Sequence, residues 1–206
     1  MSVVITVAQQ KGGAGKSTLA ANLAAAFAES ARVAVLDIDP QRSLARWHGL
    51  RGEFAPGITL SEVSGWRLPA EIERLRREHD VLIVDSPPQV ETDAKIAVRA
   101  ARLVLVPLQP SPPDLWAAEG TLKLAREEKR RAVLLLNRAP ASGSLRAGVE
   151  AEIGARGYAL LAATLGNRVG FAGAFARGLG VTETAPRSVA AAELRAVLAE
   201  IRGLLG

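Results

Sequence analysis

The residues best suited to chemistry lie between Lys11 and Thr18, where the sequence KGGAGKST combines two lysines, three glycines and two hydroxyl side chains. The apolar run Val3–Ala8 precedes this stretch and the helix-forming run Leu19–Ala24 follows it, which predicts a strand, a turn and a helix in that order. In such a turn the backbone N–H groups and the positive end of the helix dipole point at the same anion. The sequence therefore predicts a phosphate-binding loop.

Within this loop the residue types have distinct tasks. Lys16 can reach the β- and γ-phosphates of a nucleotide, and the Ser17 hydroxyl can bind Mg²⁺. The common pattern G-x-x-x-x-G-K-[ST] would have a glycine at position 10, where this chain has Gln10, and a second lysine follows at Lys11. A glycine-rich turn with Lys11 merely solvated is the alternative interpretation. The predicted nucleotide-binding residues of the loop are Lys11, Gly12, Gly13, Ala14, Gly15, Lys16, Ser17 and Thr18.

Two further predicted strands end in acidic residues. One ends in the sequence LDIDPQ, whose Asp37 and Asp39 are two positions apart and are expected to point the same way, toward the phosphates. The other reads VLIVDSPP and reaches Asp85 after four apolar residues, which predicts a carboxylate next to a Mg²⁺ ion. Each motif alone has a structural alternative, because Asp-Pro also opens turns and Asp85 could cap the following helix.

The three motifs, in this order, resemble those of the ParA/MinD family of ATPases with a deviant Walker A motif, most of all the short plasmid-type ParA proteins without an N-terminal DNA-binding domain. The resemblance implies ATP and Mg²⁺ as cofactors, and a homodimer in which Lys11 of each subunit reaches the partner's nucleotide. It also implies that Asp39 positions the attacking water. The residues expected to act in catalysis are Lys11, Lys16 and Asp39. Those expected at the metal are Ser17, Asp37 and Asp85.

Three later segments carry further expectations. Asn137 and Arg138 resemble the family's adenine-contacting segment, since an amide offers an adenine edge both a donor and an acceptor; a turn-forming asparagine is the alternative. The region 166–183 also looks family-like and is expected to close over the base. The sequence SPPD, from Ser111 to Asp114, predicts a helix start with a serine cap. It resembles the family's proline-rich segment near the dimer and polymer contacts.

Apolar runs alternate with helix-forming runs along the chain. The predicted strands are Val3–Ala8, Arg32–Asp37, Val81–Asp85, Leu103–Pro107, Ala132–Asn137 and a segment around Leu160–Thr164. The predicted helices are Lys16–Glu29, Ser43–Leu50, Pro69–Glu78, Thr92–Ala100, Pro113–Glu127, Leu145–Arg156 and Ser188–Leu205. Because the strands are continuously apolar, we expect an α/β fold: a single domain over residues 1–206, doubly wound, with a mostly parallel sheet and helices on both faces. The proline- and glycine-rich Phe54–Gly57 is expected to be a loop, and ligands are expected at the carboxyl ends of the strands.

Composition excludes some classes of site and permits others. None of the 206 residues is cysteine, which excludes thiolate metal sites, disulfides and cysteine nucleophiles. The formal net charge of +5 permits binding to a phosphate backbone without requiring it. Trp47, Trp66 and Trp116 are expected to serve packing rather than base stacking. The basic residues expected to contact DNA are Lys123, Arg126, Arg168, Arg187 and Arg195.

The resemblance implies a cytoplasmic, nucleoid-associated switch. ATP would close a dimer that binds DNA non-specifically, and a ParB-like or cargo-adaptor protein would stimulate slow hydrolysis, so that a plasmid, a chromosome region or a protein cluster is partitioned or positioned. No membrane partner is expected, because the predicted helix Ser188–Leu205 has a balanced rather than basic polar face. The alternatives are a MinD-like membrane-associated regulator, a nucleotide-dependent scaffold without hydrolysis, and a small-molecule ATP-dependent ligase of similar fold.

Overall fold

The computed structural model describes residues 2–52, 57–88 and 91–206, and within them six strands form one parallel sheet. In chain order the strands are Val3–Val7 (β1), Val33–Asp37 (β2), Ile58–Glu62 (β3), Val81–Asp85 (β4), Leu103–Leu108 (β5) and Arg131–Leu136 (β6). Their order across the sheet is β3-β2-β4-β1-β5-β6. Except for Gly57, the loop expected at Phe54–Gly57 lies outside the described residues.

Helices connect these strands. They are Lys16–Ala28 (α1), Ser43–Gly49 (α2), Leu68–Leu75 (α3), Glu91–Ala100 (α4), Pro112–Glu127 (α5), Ser144–Ala155 (α6), Val169–Phe175 (α7), Val181–Thr184 (α8) and Val189–Leu205 (α9). A single 3₁₀ turn, Gly65–Arg67, precedes α3. Across the described ranges, none of these helices is both long enough and apolar enough to cross a membrane.

Successive residues of a strand face opposite layers of helices. In β4, Val81 and Ile83 belong to the apolar cluster that includes side chains of α1 and α9. Leu82 and Val84 belong instead to a cluster with side chains of α3. Both faces of the sheet are therefore buried, which explains why the strands read as continuous apolar runs. The predicted doubly wound α/β fold is confirmed.

The strand predicted around Leu160–Thr164 is wrong. A single parallel bridge, between Leu134 and Leu160, joins this segment to β6. A little further on, the amide of Ala163 donates to a carboxylate oxygen of Glu200 on α9, at 2.6 Å. Because a helix side chain takes this N–H group, the segment does not continue as a strand along β6.

Three short elements were not predicted from the sequence. Strand β3 lies at the edge of the sheet, and only Ile58 and Ser61 of its five residues are buried, so it lacks the continuous apolar run of the other strands. Helices α7 and α8 have 7 and 4 residues. Such lengths are too short for the helical period to be recognised.

The tryptophans differ in their burial. Trp47 is fully buried, as expected of a packing residue. Trp66 and Trp116 are 70% and 59% exposed, so the expectation that they serve packing is wrong for both. In α5 the buried residues include Leu115 and Ala118, and the 3.6-residue period turns the intervening Trp116 outward.

Candidate functional site

The turn between β1 and α1 has the backbone that a phosphate-binding loop needs. Gly13 and Gly15 adopt φ values of 78° and 87°, in the left-handed region that side chains with a Cβ disfavour. The first hydrogen bond of α1 runs from the amide of Leu19 to the carbonyl of Gly15, at 2.9 Å. The amides at the start of the helix, residues 16–18, are therefore available to an anion, and the helix dipole favours negative charge at that point.

Lys16 is held close to the protein interior at the start of α1. Its residue surface is 6% exposed, and burial lowers the pKa of its ammonium group, while Asp85 and Asp39 nearby oppose that shift. A buried ammonium group is stabilised by nearby negative charge, because burial penalises charge that is not fully compensated. Lys16 is thus placed to gain from an anionic ligand.

Asp85, at the end of β4, is the most deeply buried charged residue near the loop. Its exposed fraction is 0%, and neither carboxylate oxygen has a hydrogen-bond partner among the described residues. Burial raises the pKa of Asp85 to about 7, although the nearby Ser17 hydroxyl and Lys16 ammonium favour the charged form. Unpartnered buried oxygens of this kind call for a ligand that the protein alone does not supply.

These residues fit a Mg²⁺ ion that takes most of its ligands from elsewhere. No group of three or more His, Cys, Asp or Glu side chains that could hold a metal occurs in the described parts of the chain. Mg²⁺ commonly binds through one or two protein groups together with waters and substrate phosphates. Ser17 and Asp85, facing the phosphate loop, match such a partial set.

The two acids at the carboxyl end of β2, Asp37 and Asp39, have different surroundings. Asp37 accepts hydrogen bonds from the amides of Asp39 and Ala45, at 3.0 and 2.8 Å, so both of its oxygens are used. Burial raises the pKa of Asp37, and these amides oppose the rise. Asp39 accepts from the amide of Gln41 at 2.9 Å. Asp37 therefore fixes the turn that carries Asp39, and its predicted link to the metal remains a prediction.

Two neighbouring cavities lie next to the phosphate-binding loop. One, of about 350 Å³, is lined by loop residues together with Asp39 and Arg138. The other, of about 220 Å³, is lined by Gly15 and Asn137 and by residues 165–169, 171 and 172. Gly15, Thr18 and Arg138 line both cavities, so phosphates in the first could continue into a base in the second. The sequence predicts that the region 166–183 closes over the base, without identifying single residues.

Asn137 supports the loop from the second cavity. Its side-chain amide donates to the carbonyl of Ala14 at 2.9 Å, and its carbonyl oxygen accepts from the amide of Arg138 at 3.0 Å. A Cβ built on Gly15 would lie 2.6 Å from Asn137 Nδ2, so only glycine permits this approach. The local role as a turn residue is thus visible in the structure, whereas contact with adenine stays a prediction.

The side chain of Lys11 contacts helix α5. Its Nζ is 2.8 Å from Oδ2 of Asp114, which is 3% exposed on α5, and the Ser111 hydroxyl donates to the same oxygen. Ser111 also caps α5 by accepting from the amide of Asp114, as the sequence predicts. Gln10 closely approaches Gly120 of the same helix, where no Cβ stands in its way. Helix α5 therefore holds the first part of the loop.

The basic residues predicted to contact DNA do not form one free surface. Arg168 pairs with Glu193 at 2.5 Å, and Arg195 donates to the carbonyl of Pro186 at 2.6 Å. Lys123 lies 4.0 Å from an acidic residue of the same helix. Arg126 and Arg187 have no ion pair within the ranges that the structure describes. Contact with DNA at these five positions stays a prediction.

Comparison with protein-family models matches residues 5–181 to the CobQ/CobB/MinD/ParA nucleotide binding domain. The chain is 27% identical over 205 residues to maintenance of carboxysome distribution protein A of Halothiobacillus neapolitanus, covering 96% of this chain and 95% of that protein. It is 37% identical over 132 residues to protein ParA of Rhizobium radiobacter, covering 61% of this chain and 57% of that one. Among solved structures, a variant of McdA from Cyanothece in complex with ATP has the same fold, with a TM-score of 0.82 and 18% identity over 100% of this chain and 96% of that one.

Proposed function

Because the chain belongs to the CobQ/CobB/MinD/ParA family of nucleotide-binding domains, we propose that it is a Mg²⁺-dependent ATPase acting as a dimerising switch. The observation that carries the proposal is Asp85, a fully buried carboxylate without a hydrogen-bond partner among the described residues, beside the amino end of α1. A Mg²⁺–triphosphate ligand would supply both the cation that Asp85 lacks and the anion that Lys16 lacks.

Each residue of the loop then has a task in hydrolysis. The amides of residues 16–18 and the ammonium of Lys16 hold the β- and γ-phosphates, while Ser17 and Asp85 hold the ion. The ion, when bound, neutralises charge on the phosphate oxygens during transfer. Asp39 lines the phosphate cavity on a turn fixed by Asp37, and there it orients the attacking water. Hydrolysis needs positioning and charge neutralisation rather than a covalent intermediate.

Dimerisation would follow from a change of partner by Lys11. In the structure, Lys11 is paired with Asp114 of its own chain. In the proposed dimer, the two subunits face each other with the carboxyl ends of their strands, which we call the carboxyl edge of the sheet. Lys11 then leaves Asp114 to contact the phosphates bound by the partner subunit. The exposed Trp116, two residues beyond Asp114 on α5, would then be covered by the second copy. The negative charge of the triphosphate bound by the partner subunit attracts the ammonium group of Lys11.

The switch would position a cargo. Among its relatives, one that matches nearly the whole chain is named for the distribution of carboxysomes, and another is a ParA. We propose that the ATP-bound dimer associates with the nucleoid through non-specific DNA contacts and that a cargo-linked protein stimulates hydrolysis. The cargo belongs to one of two classes, a protein cluster or a DNA element, since the same ATPase core serves either.

Helix α9 argues against a membrane as the surface with which the switch associates. A membrane-binding helix needs a basic polar face free to meet lipid. In α9, Glu193 binds Arg168, Glu200 binds the amide of Ala163, and Arg202 donates to Ser30 at 2.8 Å. The polar face of α9 is thus used within the molecule.

Substitution Asp39→Ala tests the proposed cycle. We expect the variant to bind ATP and dimerise, because Lys16, Ser17 and Asp85 are intact, and to lose hydrolysis because the water is no longer oriented. Molar mass by light scattering and phosphate release, each with ATP, ADP and no nucleotide, measure the two properties. Rapid turnover by the variant, or a native protein that stays monomeric with a non-hydrolysable ATP analogue, would contradict the proposal.

A further inference from the structure

A second charged surface lies at the amino ends of the strands, which we call the amino edge of the sheet, on the side opposite to the phosphate loop. The amino ends of β1, β5 and β6 and one side of α3 enclose a groove of about 1040 Å³. Its lining has one acidic residue, Glu73, and six basic ones: Arg76, Arg99, Arg102, Lys129, Arg130 and Arg131. None of these residues lines the two cavities at the phosphate loop. We name this surface the amino-edge groove.

Some of these cations are partly neutralised. Arg76 is 2.7 Å from Glu73, and Arg99 is 2.7 Å from Glu128. All four side chains of these two pairs except Glu128 are at least 40% exposed, so solvent weakens the pairing and leaves them able to exchange partners. These pairs hold arginines in place without cancelling the positive charge of the groove as a whole.

Two other arginines are oriented by backbone carbonyls. Arg102 donates to the carbonyl of Leu205 at 2.7 Å, and Arg131 donates to that of Leu204 at 2.9 Å, both at the end of α9. A carbonyl does not neutralise a guanidinium, and each guanidinium has five N–H donors, so both keep donors for another ligand. Their positions are set by the helix end that they contact.

Lys129 and Arg130 carry the strongest signal. Both are exposed, and neither has an ion pair or a side-chain hydrogen bond in the described part of the chain. Lys129 has a φ of 54°, at the end of α5, where glycine or asparagine would be the unstrained choice. A lysine held in this conformation, next to Arg130, points to a use for its charge.

We propose that the amino-edge groove binds the phosphate backbone of duplex DNA. Cations lie on both walls, from Arg76 just after α3 and Arg99 of α4 on one side and from the turn between α5 and β6 on the other, which suits an extended polyanion better than a single small anion. The lining has no aromatic side chain on which bases could stack, so contact is with phosphates and is independent of sequence. A flat bilayer does not reach into a concave surface as a duplex edge does.

The position of the groove has a consequence for the dimer. This step rests on the proposed function, in which carboxyl edges meet at the two-fold axis. The amino edges then lie at the two far ends of the dimer, with one groove on each. A dimer would hold DNA at two points, whereas a monomer would hold it at one point and more weakly, so ATP would control both the avidity for DNA and the bridging of two duplexes.

The test removes two charges without straining the turn. Lys129→Asn with Arg130→Gln keeps the left-handed backbone, which asparagine tolerates, and removes both unpaired cations. The matched control is Arg46→Gln with Arg177→Gln, two exposed arginines that do not line the groove. A labelled random-sequence duplex is titrated at several salt concentrations, without nucleotide and with a non-hydrolysable ATP analogue.

We expect the groove variant to lose at least about tenfold in affinity, and the slope of log K against log salt to fall by about 2. The control should stay within about twofold at the same salt. A bead-bound duplex should capture a second, labelled duplex through the native protein only when the analogue is present. The Lys16→Ala variant should bind one duplex and fail to bridge two.

Several results would overturn the groove as a DNA site. These are equal binding by native protein and groove variant, a loss confined to the control, displacement of DNA by inorganic phosphate at equimolar amounts, or capture by phosphatidylserine vesicles with no binding to duplex. The proposed function fails separately. If the groove variant loses DNA binding but no analogue-dependent dimer or bridging forms, the groove stands and the switch does not.

Discussion

The two edges of the central sheet use charge in different ways. At the carboxyl edge, Lys16 and Asp85 are buried and incompletely compensated, and in the proposed function a ligand that carries both charges would complete them. At the amino edge, Lys129 and Arg130 are exposed and already hydrated. A buried site of this kind is expected to select one small ligand, whereas an exposed one gives graded, salt-dependent attraction. Substitutions should therefore act sharply at the first edge and gradually at the second.

The largest effect is expected from Lys16→Ala at the carboxyl edge. Removing the buried charge that we propose holds the phosphates should reduce kcat/KM for ATP by about 100- to 1,000-fold, the size seen when one preorganised donor to developing charge is lost. Phosphate release measures the change, with Lys123→Ala as a control on an exposed lysine. A reduction of less than about tenfold would show that removing a charge at the carboxyl edge has no larger effect than removing one at the amino edge, which would contradict the difference between the two edges.

Asp85→Asn should separate stability from function. Because burial raises the pKa of Asp85 to about 7, the folded protein binds a proton that the unfolded chain releases near pH 4. Stability of the nucleotide-free native protein is therefore lost as the pH rises from about 4 to about 7, by up to about 4 kcal/mol. The variant lacks this loss, so it should be the more stable protein at pH 8 and nearly equal to native at pH 4.

Urea unfolding at several pH values measures that difference, with Glu127→Gln on the exposed surface of α5 as the control. Adding Mg²⁺ and ATP at pH 8 should reverse the order, because the ligand stabilises only the charged carboxylate. A native protein that is more stable than the Asp85→Asn variant at pH 8 without nucleotide would show that Asp85 is compensated in a way the structure does not contain.

A smaller effect is expected from Asp114→Asn on α5. The amide keeps the shape of the side chain but removes the charge that holds Lys11, so the lysine leaves more readily. Dimerisation should then need about tenfold less ATP analogue, which corresponds to about 1.4 kcal/mol, a modest value because Lys11 is 40% exposed on its side chain. Analytical ultracentrifugation across analogue concentrations gives the midpoint. A higher midpoint in the variant would mean that Asp114 assists the dimer instead.

The smallest effect concerns two helix glycines. Gly148 of α6 has nothing within 4 Å of a built Cβ, so Gly148→Ala should stabilise the protein by about 1 kcal/mol. Gly120→Ala gains the same helix propensity but must displace the side chain of Gln10, and its net gain should be smaller. Thermal unfolding compares the two. Equal stabilisation would show that contact between Gln10 and α5 has no energetic weight.

The carboxyl edge was largely predictable from the sequence. Lys16 and Ser17 belong to a local pattern, and Asp85 follows an apolar strand, so short-range spacing alone brings them to one edge of a parallel sheet. The pairing of Lys11 with Asp114 was not predictable, because the two residues are 103 positions apart and the sequence assigned each to a different contact. Local patterns predict what a residue can do, and packing decides where it lies before a ligand binds.

The amino edge was not predicted as a surface. Its cations come from three separate segments, around Arg76, Arg99 and Arg130, and none belongs to a motif. Likewise, the strand expected around Leu160–Thr164 failed because Glu200, on a distant helix, takes a backbone amide that a strand would need. In both cases the decisive partners are remote in the chain, so neither spacing nor composition could indicate them.

The acids of α9 link the far end of the chain to the deeper cavity. Glu193 accepts hydrogen bonds from the amide of Gly166 and from Arg168, and both of these residues line the cavity of about 220 Å³. Replacing the charged residues of α9 to improve solubility would remove the hydrogen bonds that hold Gly166 and Arg168 in the wall of this cavity. Such redesigns should spare Glu193, because this residue of a surface helix also holds two residues of the cavity wall in place.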